Sequence, residues 1–232
     1  MNEINVLGID LNNYSLKEAL VLTETYLEEG PLKTILYVDA NMLMLAGSND
    51  EYKECLKKCD LTIIDDEGIL EALPKVNDVK IEDIKEEKYT RILLKKLVYG
   101  HKKIALLADT TENLESLRSN LVNYRSDLEI VSKVAMETLE NSTESMINYM
   151  NDVVPDVIIS RMETAGQASL MEESRNMLNC RLWIGLPEHP ILLRTKESFL
   201  KKLWHKISHR SFKKEVNRYN IRENEESDNK AE

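Results

Sequence analysis

At 232 residues, 42% apolar and 31% charged, the chain is long enough to bury the core of one ordinary α/β domain or two small ones. Its net charge of −10 argues against general nucleic-acid binding, which needs a cationic face for phosphate. No apolar run approaches the length of a membrane-spanning helix, and the three cysteines do not make a disulfide framework or complete a metal site.

The N-terminus, Met1-Asn2-Glu3-Ile4-Asn5, lacks the basic and apolar regions of a signal peptide, so a cytoplasmic location is expected. Ile4 to Leu11 reads as a short strand or ribbon. Ser15-Leu16-Lys17-Glu18 is a capping box, and Leu16, Ala19, Leu20, Thr23 and Leu27 form the stripe of a helix ending near Gly30-Pro31. Thr34 to Val38 reads as a buried strand, Met42 to Ala46 as a helix, and Asn49 to Lys58 as a second helix leading into the central strand.

That strand lies in Leu61-Thr62-Ile63-Ile64-Asp65-Asp66-Glu67-Gly68-Ile69-Leu70. A short apolar run reads as a buried parallel strand, and open α/β sheets place their chemistry at the carboxyl ends of such strands. Asp65, the acid closest to the strand, is the candidate working carboxylate. The competing reading is that these acids cap and neutralise the N-terminus of the helix around Ile69 to Leu73.

Pro74 to Asp83 reads as a loop, Glu86 to Tyr99 as a helix with Ile92, Leu93 and Leu97 on one face, and Lys103 to Ala108 as a strand. Thr111 to Tyr124 and Ser142 to Val153 are helices around a strand from Leu128 to Val134. Pro155-Asp156 introduces the strand Val157 to Ser160, Gln167 to Leu178 is helical, and Arg181 to Ile184 is the last strand. Strands alternating with helices predict an α/β, doubly wound, mostly parallel sheet with helices on both faces.

The charge is unevenly spread: residues 194–222 hold 10 Lys and Arg against 2 Asp and Glu, while residues 223–232 hold 1 against 5. We divide the chain accordingly into a domain over 1–193, a basic amphipathic helical appendage over 194–222 and a disordered acidic tail over 223–232. Within the appendage, Phe199, Leu200, Leu203, Trp204, Ile207, Phe212, Val216 and Tyr219 are spaced for one long helix from Lys196 to Tyr219. Such a helix either lies in a membrane interface, with Lys201, Lys202, Trp204, Lys206 and Arg210 meeting anionic lipid, or docks its apolar face on the domain.

Two more strand ends carry polar groups: Tyr37-Val38-Asp39-Ala40-Asn41 and Arg161-Met162-Glu163-Thr164-Ala165-Gly166-Gln167. In a doubly wound sheet such ends can converge, so Asp39, Asp65, Arg161 and Gln167 are candidates for one pocket. The alternative is that they are ordinary polar loop termini.

With these residues in place, roughly residues 3–185 resemble the TagA/WecG/CpsF family of bacterial glycosyltransferases. The resemblance rests on Val6-Leu7-Gly8-Ile9, read as an opening strand, on Asp39-Ala40-Asn41-Met42 through Asp50-Glu51-Tyr52, and on Leu61 to Leu70. It implies a Rossmann-like fold and transfer of an N-acetylhexosamine-type sugar from a UDP-sugar donor to a polyprenol-pyrophosphate-linked acceptor in cell-envelope polysaccharide synthesis. It implies Asp65 as catalytic base and puts Gln167, after Gly166, on the family's glutamine; together with Asp39, Asn41 and Arg161 from the converging strand ends, Gly166 and Gln167 are the expected substrate-binding residues. It also implies a basic C-terminal appendage at the inner face of the cell membrane, and a homo- or hetero-oligomer for which the chain shows no interface signature. No cofactor is expected and no metal ligands are assigned; a divalent cation stays open, with Asp65, Asp66 and Glu67 as its nest.

The chain departs from the family pattern in ways that define a second expectation. The pattern's Asp-Gly-x-Gly is Asp65-Asp66-Glu67-Gly68 here, so Asp66 occupies a glycine position; Asp83 falls near the place of an expected arginine, and only Gly166-Gln167 remains of a Gly-x-Pro-Lys-Gln-Glu segment. A diphosphate is normally met by backbone N–H groups, cations or metal, and close backbone approach favours glycine. Acids in these places add repulsion, so the alternative is a catalytically inactive relative serving as a binding or scaffolding subunit in the same pathway.

Overall fold

The structure, a computed structural model, describes residues 3–28, 30–64, 66–72, 88–187, 211–212, 214–219 and 221–222. It opens with an antiparallel hairpin, β1 (Glu3–Val6) and β2 (Ile9–Asn12), in which Val6 faces Ile9 across a two-residue turn. Leu7 and Gly8 in that turn have φ of 55° and 74°, the two positive values of a type I′ turn. Val6-Leu7-Gly8-Ile9 is therefore a hairpin corner and not the strand expected. A leucine at a left-handed position is hidden from turn rules that look for Asn-Gly; its side chain is buried in the core, which offsets the strain.

The capping box forms as expected: the Ser15 amide donates to Glu18 Oε2 at 2.8 Å and the Glu18 amide to Ser15 Oγ at 3.3 Å, starting α1 (Leu16–Glu28). The chain continues through β3 (Lys33–Val38), α2 (Ala40–Ala46), α3 (Asp50–Lys57), β4 (Leu61–Ile64) and α4 (Glu67–Ala72). It resumes with α5 (Lys88–Tyr99), β5 (Ile104–Ala108), α6 (Thr111–Tyr124), β6 (Ile130–Ala135), a short 3-10 turn, α7 (Thr143–Val153), β7 (Val157–Arg161), α8 (Thr164–Ser174) and β8 (Leu182–Leu186).

Strands β3 to β8 form one parallel sheet in the order β4-β3-β8-β7-β5-β6. Connections that run toward β4 carry α2, α3, α7 and α8, whose apolar residues join one core, while those that run toward β6 carry α5 and α6, which join the other; short α4, which opens the β4-to-β5 connection, places Ile69 in the first core. A single crossover hand requires this split, so the fold is α/β, Rossmann-like and doubly wound.

The strand Leu61–Ile64 is an edge strand, not the central one. Its unbroken apolar run reflects burial from another source: β2 lies against its outer side. The Asn12 amide donates to Thr62 Oγ1 at 2.9 Å and the Thr62 amide to Asn12 Oδ1 at 2.7 Å, so a side chain stands in for the missing ladder. The opposite edge, β6, is blunted differently, by a register shift that leaves Val131 as a bulge and by the exposed Lys133.

Residues 211–212, 214–219 and 221–222 are helical and dock on the sheet face that carries α2 and α8. Phe212 is fully buried and Val216 nearly so, in the same core as Ile4, Val6 and Leu7 of the hairpin. Tyr219 Oη lies 3.0 Å from where a Cβ on Gly8 would stand, a tight contact that adds to the positive φ in favouring glycine at this turn. Residues 196–210 of the predicted helix, the 74–83 loop and the 223–232 tail lie outside the described residues.

Candidate glycosyl-transfer site

The carboxyl ends of β3, β4, β7 and β5 each deliver polar groups to one edge of the sheet. At the tip of β3, Asp39 is the N-cap of α2 and accepts from the Met42 amide at 2.9 Å; Asn41, two residues on, is exposed. At the tip of β4, Asp65 lies outside the described residues, and its neighbour Asp66 is only 6% exposed. Asp66 Oδ1 accepts from the Gly68 amide at 2.7 Å and the Ile69 amide at 3.3 Å, and Oδ2 from the Ala40 amide at 3.4 Å. One carboxylate thus caps α4 and ties it to the start of α2. The capping role weighed for the acid triplet belongs to Asp66. An oxygen pair committed to three backbone N–H groups is also a poor member of a cation nest, and among the described residues no group of three or more acids, histidines or cysteines is arranged to hold a metal.

On α8 the two expected residues part company. Gly166 is exposed, with open space where a Cβ would project. Gln167 is fully buried: its Oε1 accepts from Ser160 Oγ at 2.9 Å, and its Nε2 donates to the Leu186 carbonyl at 2.9 Å. Its side chain therefore lies beneath the sheet edge and does not face a crevice.

Arg161 ends β7 and turns away from β3 and β4, donating from Nη1 to Ser116 Oγ of α6 at 2.9 Å. Strands lie about 4.8 Å apart, so β7 stands roughly 10 Å from β3 and roughly 15 Å from β4. Asp39 and the β4 tip adjoin one another, while Arg161 belongs to a second locus between β5 and β7. There the connections leave for opposite faces, through α6 and α8, which is the topological switch point.

That second locus contains a residue that sequence reasoning missed. Asp109, just past β5, accepts from the Thr110 amide at 2.8 Å and Asn113 Nδ2 at 2.7 Å, and with its other oxygen from the Glu163 amide at 3.1 Å. It joins the β5 exit to the start of α8. The signal was available, because Ile104 to Asp109 repeats the pattern of an apolar run closed by an acid. Glu137 completes the rim: it accepts from the Thr111 amide at 2.6 Å, and the Thr111 side chain together with that amide holds its carboxyl below the usual range.

Beside the first locus, Tyr52 of α3 is 3% exposed, and among the described residues its hydroxyl has no hydrogen-bond partner. Burial, reinforced by the Asp39 carboxylate, pushes its phenol well above the ordinary value of 10.

Residues 4–187, four-fifths of the chain, match the family model described as Glycosyl transferase WecG/TagA/CpsF family. The chain belongs to the WecG/TagA/CpsF glycosyl transferase family. No curated protein matches it. The family match begins in the β1–β2 hairpin and ends just past β8, so both loci at the carboxyl edge fall inside it, and the docked segment 211–222 falls outside. No described helix is long and apolar enough to cross a membrane.

Proposed function

We propose that this glycosyl transferase family member moves an N-acetylhexosamine-type sugar from a UDP-sugar to a polyprenol-pyrophosphate-linked acceptor in cell-envelope polysaccharide synthesis, with Asp65 as general base. The acceptor hydroxyl gives its proton to the Asp65 carboxylate as its oxygen bonds the anomeric carbon. The bond from that carbon to the diphosphate breaks, and UDP leaves with the electron pair. A positioned carboxylate of this kind contributes roughly 10²–10⁴-fold. The observation that supports the reading is that Asp66 caps α4, so that helix start already has a carboxylate other than Asp65. The exposed Asn41 and Gly166, with Asp39 and Arg161, are the substrate-facing set, and the separation of the two loci suits a two-part ligand such as a nucleotide sugar. Lys201, Lys202, Trp204, Lys206 and Arg210 bring the enzyme to the inner membrane face, where a lipid-linked acceptor resides.

A second reading is supported by the acidity of the same edge. Asp39, Asp66, Asp109 and Glu137 all face backbone N–H groups there, in places where a diphosphate would compete for them. On this reading the chain is a non-catalytic subunit of the pathway. Titration with UDP and UDP-sugars, with and without magnesium or manganese, separates the two. Saturable binding, with turnover abolished and affinity kept in Asp65→Asn, fits the first. No binding at millimolar nucleotide selects the second, and full activity in Asp65→Asn removes that residue from the mechanism.

A further inference from the structure

We propose that Ser160 is a positioning residue for sugar transfer, acting through Gln167 to fix the first turn of α8 at the donor end of the site. The inference rests on the nucleotide-sugar reading above and gives Gln167 a different part from the direct substrate contact expected of it.

Ser160, Gln167 and Trp183 are each fully buried and form one chain. Trp183 Nε1 donates to Ser160 Oγ at 2.8 Å, Ser160 Oγ donates to Gln167 Oε1 at 2.9 Å, and Gln167 Nε2 donates to the Leu186 carbonyl at 2.9 Å. The polarity has no freedom. An indole N–H can only donate, a hydroxyl has a single hydrogen, and that hydrogen must go to the amide oxygen. The amide nitrogen is then forced toward Leu186. Three elements, β7, β8 and α8, are joined by groups that would each be costly to bury unpaired.

The space around the chain is equally committed. A Cβ on Gly185 would lie 3.0 Å from Gln167 Nε2 and 2.8 Å from Leu36 Cδ1, so β8 is pared to glycine where the amide passes. Immediately before Gln167, Gly166 faces open space. The first turn of α8 is thus clamped from beneath and bare above. Polar groups locked in a dry interior are how a backbone surface is held ready for a ligand without reorganisation.

The experiment measures UDP and UDP-sugar affinity, KM, kcat and Tm for the full chain and for Ser160→Ala and Ser160→Thr. Alanine removes the hydroxyl at little cost in volume, while threonine keeps the hydroxyl and adds a methyl to a fully packed site. Both should lower Tm. Donor affinity should fall on the order of tenfold to a hundredfold in Ser160→Ala, the scale of an ångström-sized misplacement, and stay close to wild type in Ser160→Thr. In a Trp204→Phe background, Trp183 emission should respond to UDP in the parent and lose that response in Ser160→Ala. Affinity that tracks Tm in both variants, or that is unchanged in Ser160→Ala, overturns the proposal while leaving the function intact. Failure of the wild-type chain to bind any UDP-sugar overturns the function and this inference with it.

Discussion

Phe212 tests whether the C-terminal segment is part of the fold or an accessory resting on it. Its ring is fully buried in the core shared with Ile4, Val6 and Leu7, with Val216 one turn on. Phe212→Ala removes the ring and leaves a cavity, at about 3–5 kcal/mol for a buried phenylalanine. At about 2–4 °C per kcal/mol for a chain of this size, the midpoint should drop roughly 6–20 °C. Urea unfolding of the full chain, followed by circular dichroism, reads the same loss as a lower midpoint at unchanged slope. Lys214→Ala, on the exposed side of the same turns, is the control and should stay within about 0.5 kcal/mol. A Phe212→Ala protein that unfolds with the control refutes the docking. So does a loss of slope in place of a shift in midpoint, since that would mean the segment melts independently.

Four further outcomes follow from the geometry. Gly185→Ala drives a methyl into Leu36 and Gln167 and should cost about 1–3 kcal/mol by overpacking, read as a lower unfolding midpoint. Asp66→Ala uncaps α4 and strips the Ala40 amide, costing about 1–2 kcal/mol, whereas Asp65→Asn should abolish sugar transfer at unchanged Tm. Burial raises the Asp60 carboxyl, but bonds from Lys33, the Thr34 amide and Arg175 outweigh it and hold the group below its ordinary value. Its stabilising part is therefore present above the unfolded pKa, near 4, and is lost as pH falls through the lower folded value; Asp60→Asn should flatten that acid limb in pH-dependent unfolding. Charge reversal at Lys201, Lys202 and Lys206 should cut sedimentation with anionic vesicles without moving Tm, a cleaner test than truncation after Leu193, which also deletes the Phe212 anchor.

Local order was legible where the physics is local. The Ser15–Glu18 box and the apolar strands announce themselves within a few residues, and the helices over Asn49 to Lys58, Thr111 to Tyr124 and Ser142 to Val153 start within a residue of their caps. Strand order is not local, and that is why Leu61–Ile64 read as central. Burial on both sides implies a covered strand, and the cover turned out to be Asn12, fifty residues earlier. The Leu7-Gly8 corner was hidden because leucine is a poor left-handed residue whose cost is met by tertiary burial. The Ser160–Gln167–Trp183 chain was hidden for a third reason. Each residue alone resembles a strand interruption, a loop terminus or a core aromatic, and only the packing of β8 beside β7 brings them together.

The same distinction bears on the acids at the sheet edge. Three times an apolar strand runs into a carboxylate, at Asp39, at Asp65-Asp66 and at Asp109, a pattern that by itself marks a strand end and not a reaction. At all three, a described carboxylate is spent on backbone N–H groups that begin or join helices. A helix start must be capped by something, so one acid per strand tip is accounted for by folding alone. Only the β4 tip carries a further acid on its strand side. The fold needs one carboxylate at that corner, and the sequence supplies Asp65, Asp66 and Glu67 in succession. On the function proposed above, the acid nearest the strand, Asp65, is the general base.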